Sequence, residues 1–291
     1  MHPFLAIIGG GNMGKAIVTG GVNARLLVPS RVCVADRDET RRARIAALGI
    51  KVVANACEAL AWLSATASNA DDGQVLLAIK PQSLSDLSKE CESQSAISSG
   101  TVVTHPCEGR VVISILAGVT SDRIYRALGG KCRVIRAMPN LPAAIGRGAT
   151  ALCIGAGASD SDAEFAEVLF KGVGPLVMRT REELMDAFTA LAGSGPAYVF
   201  YLAEAMIAAG VKLGFSPEQS TAITRATIAG SGLMLEQTSQ LPGELRAAVT
   251  SKGGTTQAAT EVLDAAAVKQ TIIEAIGAAE LRGRELGKQI S

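Results

Sequence analysis

The chain has 291 residues, 48% of them hydrophobic, which is enough for one large domain or two of ordinary size. Its net charge is +1 with basic and acidic residues intermixed, so it lacks the electrostatic footprint of a nucleic-acid binder. Two histidines, His2 and His105, argue against a histidine-built metal site, and six cysteines without a C-x-x-C pair point to reduced thiols in a cytosolic protein.

Met1-His2-Pro3-Phe4 runs straight into an apolar segment without a basic leader, so no signal peptide is expected. From there to about Thr180, short β-branched runs alternate with helical spacing. Strands are expected at Phe4–Ile8, Arg31–Asp36, Val52–Ala54, Gln74–Ile79, Val111–Leu116, Arg133–Ala137, Thr150–Ile154 and Pro175–Met178, several of them continuously apolar. Helices are expected between them, among others at Gly14–Ala24, Thr40–Leu48, Leu84–Glu90 and Asp122–Leu128. The polar stretch from Ser85 to Arg110 is poorly patterned, and its second half is assigned no structure. This alternation predicts an open, mostly parallel α/β sheet covered on both faces.

After Glu182 the strand signals cease. Helical spacing covers Glu182–Ala192, Pro196–Leu213, Pro217–Gln237, Pro242–Ser251, Gly254–Val262 and Val268–Lys288, with Pro196, Pro217 and Pro242 at helix starts. The apolar run Ala197–Leu213 is interrupted by Glu204 and reads as a buried helix, since a membrane span needs about 20 nearly unbroken apolar residues. Residues such as Ile223, Ile228, Leu233 and Leu235 lie around much of one helix, more apolar surface than one small bundle can cover. A second subunit is expected to cover it. The expected organisation is an α/β domain over 1–180 and an all-α dimerisation domain over 181–291.

The first turn reads Ile8-Gly9-Gly10-Gly11-Asn12-Met13-Gly14 and follows a strand into a helix. It matches G-x-G-x-x-G: Gly9 allows the tight turn, Gly11 lets the backbone approach a pyrophosphate, and Gly14 packs helix on strand in a Rossmann-like fold. The anion would sit on the helix N-terminus, beside Asn12 and Met13. Asp36 ends the second strand, where a carboxylate bonds adenosine ribose hydroxyls and favours NADH. Arg37 follows it, with Arg41, Arg42 and Arg44 near; these could hold a 2′-phosphate and favour NADPH, or form a solvated helix face. The sequence leaves that choice open.

Four further segments complete a pattern: Ala78-Ile79-Lys80-Pro81; Arg136-Ala137-Met138-Pro139-Asn140-Leu141-Pro142-Ala143; Leu191-Ala192-Gly193-Ser194-Gly195-Pro196-Ala197-Tyr198-Val199-Phe200; and Pro242-Gly243-Glu244-Leu245 followed by Val249-Thr250-Ser251-Lys252-Gly253-Gly254-Thr255-Thr256. With the glycine turn, and in this order and spacing over essentially the whole chain, they resemble the pyrroline-5-carboxylate reductase family. Leu141 stands where that family more often has threonine, and Lys252 where many members have proline. The resemblance implies reduction of the C=N bond of 1-pyrroline-5-carboxylate to L-proline, the last step of proline biosynthesis. It implies NADPH as cofactor, with NADH also accepted.

The residues support that chemistry. A substrate carboxylate needs convergent amides, and Gly253, Gly254, Thr255 and Thr256 at a helix start supply amides, two hydroxyls and the positive helix end; the bland alternative is a plain cap by Thr255. By resemblance the Thr256 hydroxyl lies near the ring nitrogen, Ser251 shapes the loop, and Ser194 in the 193–196 turn faces the nicotinamide and the ring. Ala78, Lys80 and Pro81 are candidate cofactor contacts, with Lys80 either bonding the nicotinamide ribose or capping a loop. Asn55 is a candidate adenosine contact by resemblance, and Asn140 bonds either loop backbone or a nicotinamide-side group. Hydride transfer to an iminium carbon demands positioning rather than acid–base machinery, which suits a chain nearly without histidine. By resemblance, homodimers interlock through the helical half, with the active site between the cofactor domain of one subunit and the helices of the dimer. A decamer, a ring of dimers, is left open.

Two rivals differ in kind. A 3-hydroxyisobutyrate or 6-phosphogluconate type dehydrogenase places a catalytic lysine on a helix of its second domain, but here Pro196–Leu213 carries only Lys212, at its far end. A non-catalytic NAD(P)-sensing protein would not need the Thr255–Thr256 loop.

Overall fold

The computed structural model describes residues 3–95 and 105–289. Most of the second half of the polar stretch 85–110 lies outside them.

Eight strands form one sheet: β1 (Phe4–Ile8), β2 (Val32–Ala35), β3 (Lys51–Val53), β4 (Gly73–Leu77), β5 (Val111–Ser114), β6 (Arg133–Met138), β7 (Ala149–Ile154) and β8 (Leu176–Arg179). Their spatial order is β3-β2-β1-β4-β5-β6-β7-β8, parallel throughout except for the antiparallel pair β6–β7. All eight expected strands are present, displaced at their ends by no more than two residues. Successive side chains of a strand face opposite sides, and here both sides are covered. Leu5 and Ile7 join a core with Ile17, Ile45 and Phe170; Ala6 and Ile8 join another with Leu60, Leu63, Leu84 and Ile124.

Some of the covering helices begin where a short polar side chain caps them. Helix α1 (Asn12–Asn23) opens on Gly11. Asp38 accepts the Arg41 N–H at 3.0 Å to start α2 (Glu39–Ala46), and Asn55 accepts the Glu58 N–H at 2.9 Å to start α3 (Ala56–Thr66). Helices α4 (Leu84–Ser95), α5 (Ser121–Ala127) and α6 (Glu164–Lys171) complete the layers. The sheet reverses its winding between β1 and β4, both of which continue from the centre, and in open α/β sheets ligands bind outside the strand ends at that point.

All six cysteines are free and five are buried. Burial pushes the thiols of Cys33, Cys132 and Cys153 up to about 11. Cys91 differs, because hydrogen bonds with Cys107 and His105 bring it down to about 6 despite its burial.

Residues Met1–Gly193 and Ala279–Ser291 form one compact unit and Ser194–Ala278 a second. Position 180 marks the end of the last strand rather than this division. The segment expected as one helix over 182–192 is instead a 3₁₀ turn (Glu182–Leu184), a short helix α7 (Met185–Phe188) and a π-helical turn (Thr189–Gly193). Wide turns of this kind recur at functional sites.

The second unit holds α8 (Gly195–Lys212), α9 (Pro217–Gln237), α10 (Pro242–Ala248), α11 (Thr255–Ala265) and the first half of α12 (Val268–Gln289). Ser216 and Gln219 form a reciprocal cap at the start of α9, with Pro217 in its first turn. Among the described residues of this unit only Ser220 and Thr224 are buried, and both are polar. The expectation that Ala197–Leu213 is a buried helix is therefore corrected: Val199, Phe200, Tyr201 and Leu202 are exposed in succession, so the described residues leave much of α8 uncovered. No described helix is long and apolar enough to cross a membrane.

Candidate active site

A cleft of about 480 Å³ opens at the carboxyl ends of β1, β2 and β4. Gly9, Gly11, Asn12, Met13, Asp36, Arg37, Asn55, Ala78 and Lys80, all expected cofactor contacts, line it. Its glycines are fixed by geometry. Gly9 has φ +111°, and a Cβ there would lie 2.4 Å from the Ala78 carbonyl oxygen. A Cβ on Gly14 would fall 2.1 Å from the Gly9 oxygen, so Gly14 serves packing and stands behind the cleft rather than in it. Gly11 is different: nothing but the Arg41 side chain, at 3.9 Å, approaches its missing Cβ. That open space, before a helix whose N-cap carries no side chain, fits a bound pyrophosphate. Gly10, which the motif treats as variable, is also restricted, because a Cβ would meet Ile45 at 2.8 Å.

Asp36 accepts the Gly10 N–H through Oδ2 and the Asp38 N–H through Oδ1, both at 2.8 Å. Arg37 donates to Glu90 Oε1 at 2.8 Å, and Arg41 lies 3.7 Å from Asp36 Oδ2. Asn55 lines the cleft while capping α3, its amide donating to Glu58 Oε1 at 2.7 Å.

Besides Gly14, two more of the expected cofactor contacts do not line the cleft. Pro81 starts a 3₁₀ turn and does not line the cleft. Asn140 is nearly buried; its amide donates to the Ala192 carbonyl at 3.0 Å and its Oδ1 accepts the Ala149 N–H at 2.9 Å. Its polar atoms thus hold the backbone of the π-helical turn and of β7, the first of the two roles its sequence position allowed. Glu90, Ser83 and Ala54 line the cleft without having been singled out. Glu90 had no sequence signal, being one polar residue in an unpatterned stretch.

In the helical unit, Gly253 adopts φ +73° and its N–H donates to Gln257 Oε1 at 2.7 Å. The Gly254 N–H donates to the Ser251 carbonyl at 3.0 Å, and a Cβ on Gly254 would meet Ser251 Oγ at 2.4 Å. Ser251 thus shapes the loop. Gly254, not Thr255, is the N-cap of α11, and no side chain caps it. The plain cap by Thr255 is therefore absent, and the Thr255 and Thr256 hydroxyls stand at an uncapped helix start. Ser194 is half-buried at the N-cap of α8, likewise without a side-chain cap bond.

Residues 4–118 match a family model described as NADP oxidoreductase, coenzyme F420-dependent, and residues 182–286 match one described as pyrroline-5-carboxylate reductase dimerisation. A pyrroline-5-carboxylate reductase of Arabidopsis thaliana is 31% identical over 98% of this chain and 95% of its own length. One from Pseudomonas aeruginosa is 34% identical over 99% and 98%. The solved pyrroline-5-carboxylate reductase of Coxiella burnetii superposes with a TM-score of 0.80 at 32% identity, covering 98% of this chain and 99% of that one. A glycine-turn cleft at the switch point of a mostly parallel sheet, taken with these matches, defines a Rossmann-type NAD(P)H-dependent oxidoreductase. The unbroken likeness through the helical half narrows the class. The chain belongs to the pyrroline-5-carboxylate reductase family.

Proposed function

We propose that the chain reduces 1-pyrroline-5-carboxylate to L-proline with NAD(P)H, completing proline biosynthesis. The observation that carries this reading is a glycine-turn cleft in the sheet unit and, in the helical unit, an uncapped, hydroxyl-bearing helix start at Thr255–Thr256. The first turn of α11 binds the substrate carboxylate through its amides and the Thr255 hydroxyl, where the positive helix end favours an anion. The Thr256 hydroxyl bonds the ring nitrogen and orients the C=N bond; Gly253, Gly254 and Ser251 hold the loop in shape. Ser194, at the start of α8, orients the nicotinamide side of the ring. Gly9, Gly11, Asn12 and Met13 cradle the pyrophosphate, Asp36 takes the adenosine ribose, and Ala78 and Lys80 face the nicotinamide ribose. The bound cofactor supplies a hydride to the imine carbon, and the ring nitrogen, arriving protonated, keeps its proton as the amine forms.

Residues 1–180 serve the cofactor and 181–291 the substrate and a second copy of the chain. The exposed apolar side chains of α8, α9 and α12 support a homodimer, with a decameric ring of dimers as a larger form. The free thiols support a cytosolic location. Steady-state rates with pyrroline-5-carboxylate and each cofactor test the reading: turnover is expected with both. A folded protein that binds either cofactor yet shows no turnover would contradict it.

A further inference from the structure

The adenosine end of the cleft is lined by two arginines and two carboxylates, Arg37, Arg41, Asp36 and Glu90. How they pair governs which adenosine ribose the cleft accepts, provided the cleft is the dinucleotide site proposed above. Asp36 is preset. Its side chain is 9% exposed, and each carboxylate oxygen receives one backbone N–H while retaining a lone pair for a ribose hydroxyl. Neither arginine stands unpaired. Arg41 lies 3.7 Å from carboxylate oxygens of both Asp36 and Asp38. Arg37 reaches across to α4, where it meets Glu90 at 2.8 Å. Glu90 is anchored through its own backbone, because its carbonyl accepts the Cys57 thiol at 3.5 Å and so ties α4 to α3.

We infer that Glu90 is a specificity-determining residue that restrains the use of NADPH relative to NADH by holding the Arg37 guanidinium. A ribose with free hydroxyls finds Asp36 ready and leaves the Arg37–Glu90 pair intact. A 2′-phosphate needs a guanidinium to grip it, so it must draw Arg37 away from Glu90 and then lie near two carboxylates. Both cofactors are accepted; Glu90 sets the ratio between them. It acts through Arg37 and is therefore a positioning residue.

The test uses the full-length oligomeric protein as wild type, Glu90→Gln, Arg37→Ala and the double variant. The Glu90 side chain is 31% exposed, so the isosteric amide fits without repacking. Two quantities are measured with NADPH and NADH: kcat/KM at saturating pyrroline-5-carboxylate, and Kd by calorimetry without substrate. Glu90→Gln is expected to raise the NADPH-to-NADH ratio by up to about fivefold, the most that an ion pair with an arginine 74% exposed can hold back. The double variant is expected to return to the ratio of Arg37→Ala, because the gain runs through that guanidinium. An unchanged ratio in Glu90→Gln, or a gain that survives the loss of Arg37, overturns the inference. If both cofactors bind but this substrate is not turned over, the proposed function fails while the Kd ratios still decide the role of Glu90. Binding of neither dinucleotide to the folded protein overturns both.

Discussion

Thr256 is half-buried at the start of α11, with Gly254 rather than a side chain as the cap, so its hydroxyl is available to a ligand. Thr256→Ala should lower kcat/KM for pyrroline-5-carboxylate by about 1–3 kcal/mol while cofactor Kd stays nearly constant, and Thr256→Ser should restore most of the loss. Steady-state kinetics with calorimetry check this; an Ala variant with full kcat/KM would place the substrate elsewhere. Ser220 carries a different expectation. Its Oγ is buried without a hydrogen-bond partner and lies where a Cβ on Gly210 would come within 2.7 Å. Ser220→Ala removes a hydroxyl that was desolvated without compensation, so it should raise stability by about 1 kcal/mol in thermal unfolding. A destabilised variant would mean that the hydroxyl finds a partner in the assembled protein. At this scale the glycine turn and Asp36 were legible in sequence, because only glycine tolerates the approaches made at Gly9 and Gly14. Glu90 was not, and of Asn140 only the class of bond was, since the Arg37–Glu90 pair and the bond to Ala192 join groups about 50 residues apart that no local pattern announces.

Among the elements, the strands were the most legible, because burial on both faces leaves continuous β-branched runs. The segment 182–193 was the least. Its apolar spacing suits a helix, but tertiary bonds divide it: Asn140 takes hold of the Ala192 carbonyl, and Glu182 is drawn to α5 and β6. The Glu182 carboxylate accepts the Ser121 N–H and hydroxyl at 2.6 Å each and meets the nearly buried Arg136 at 3.0 Å. Burial works against its charge, yet the Ser121 hydrogen bonds and the Arg136 guanidinium prevail and hold the carboxyl below its ordinary value. A lowered carboxyl contributes stability above its unfolded pKa and loses it as pH falls through the folded one. Glu182→Gln should therefore cost about 2 kcal/mol at neutral pH, less than a fully buried pair would because Glu182 still meets water. The gap between the two proteins in thermal unfolding should begin to close as pH falls through 4.5, the ordinary glutamate value. A gap independent of pH would show that the ion pair contributes nothing of its own.

For the whole molecule, the decisive feature is a helical unit with no buried apolar side chain among its described residues. A domain is stabilised by a core, and this one presents Phe200 at 54% and Tyr201 at 77% exposure instead. Sequence made the apolar excess visible but could not show that the described residues would leave much of α8 uncovered, since one helix pattern serves an internal core and an interface alike. Light scattering should give a dimer or larger species at micromolar concentration. Phe200→Asp should lower both mass and activity, because an unpaired carboxylate buried between subunits costs on the order of several kcal/mol. A fully active wild-type monomer would refute the need for a partner.

Product stoichiometry tests the reaction most directly. Purified protein, pyrroline-5-carboxylate and limiting NADH or NADPH should yield one L-proline for each cofactor oxidised, with product identified by NMR and by its chirality. Cofactor oxidation without proline, or no oxidation by a folded oligomer that binds the dinucleotide, would contradict it.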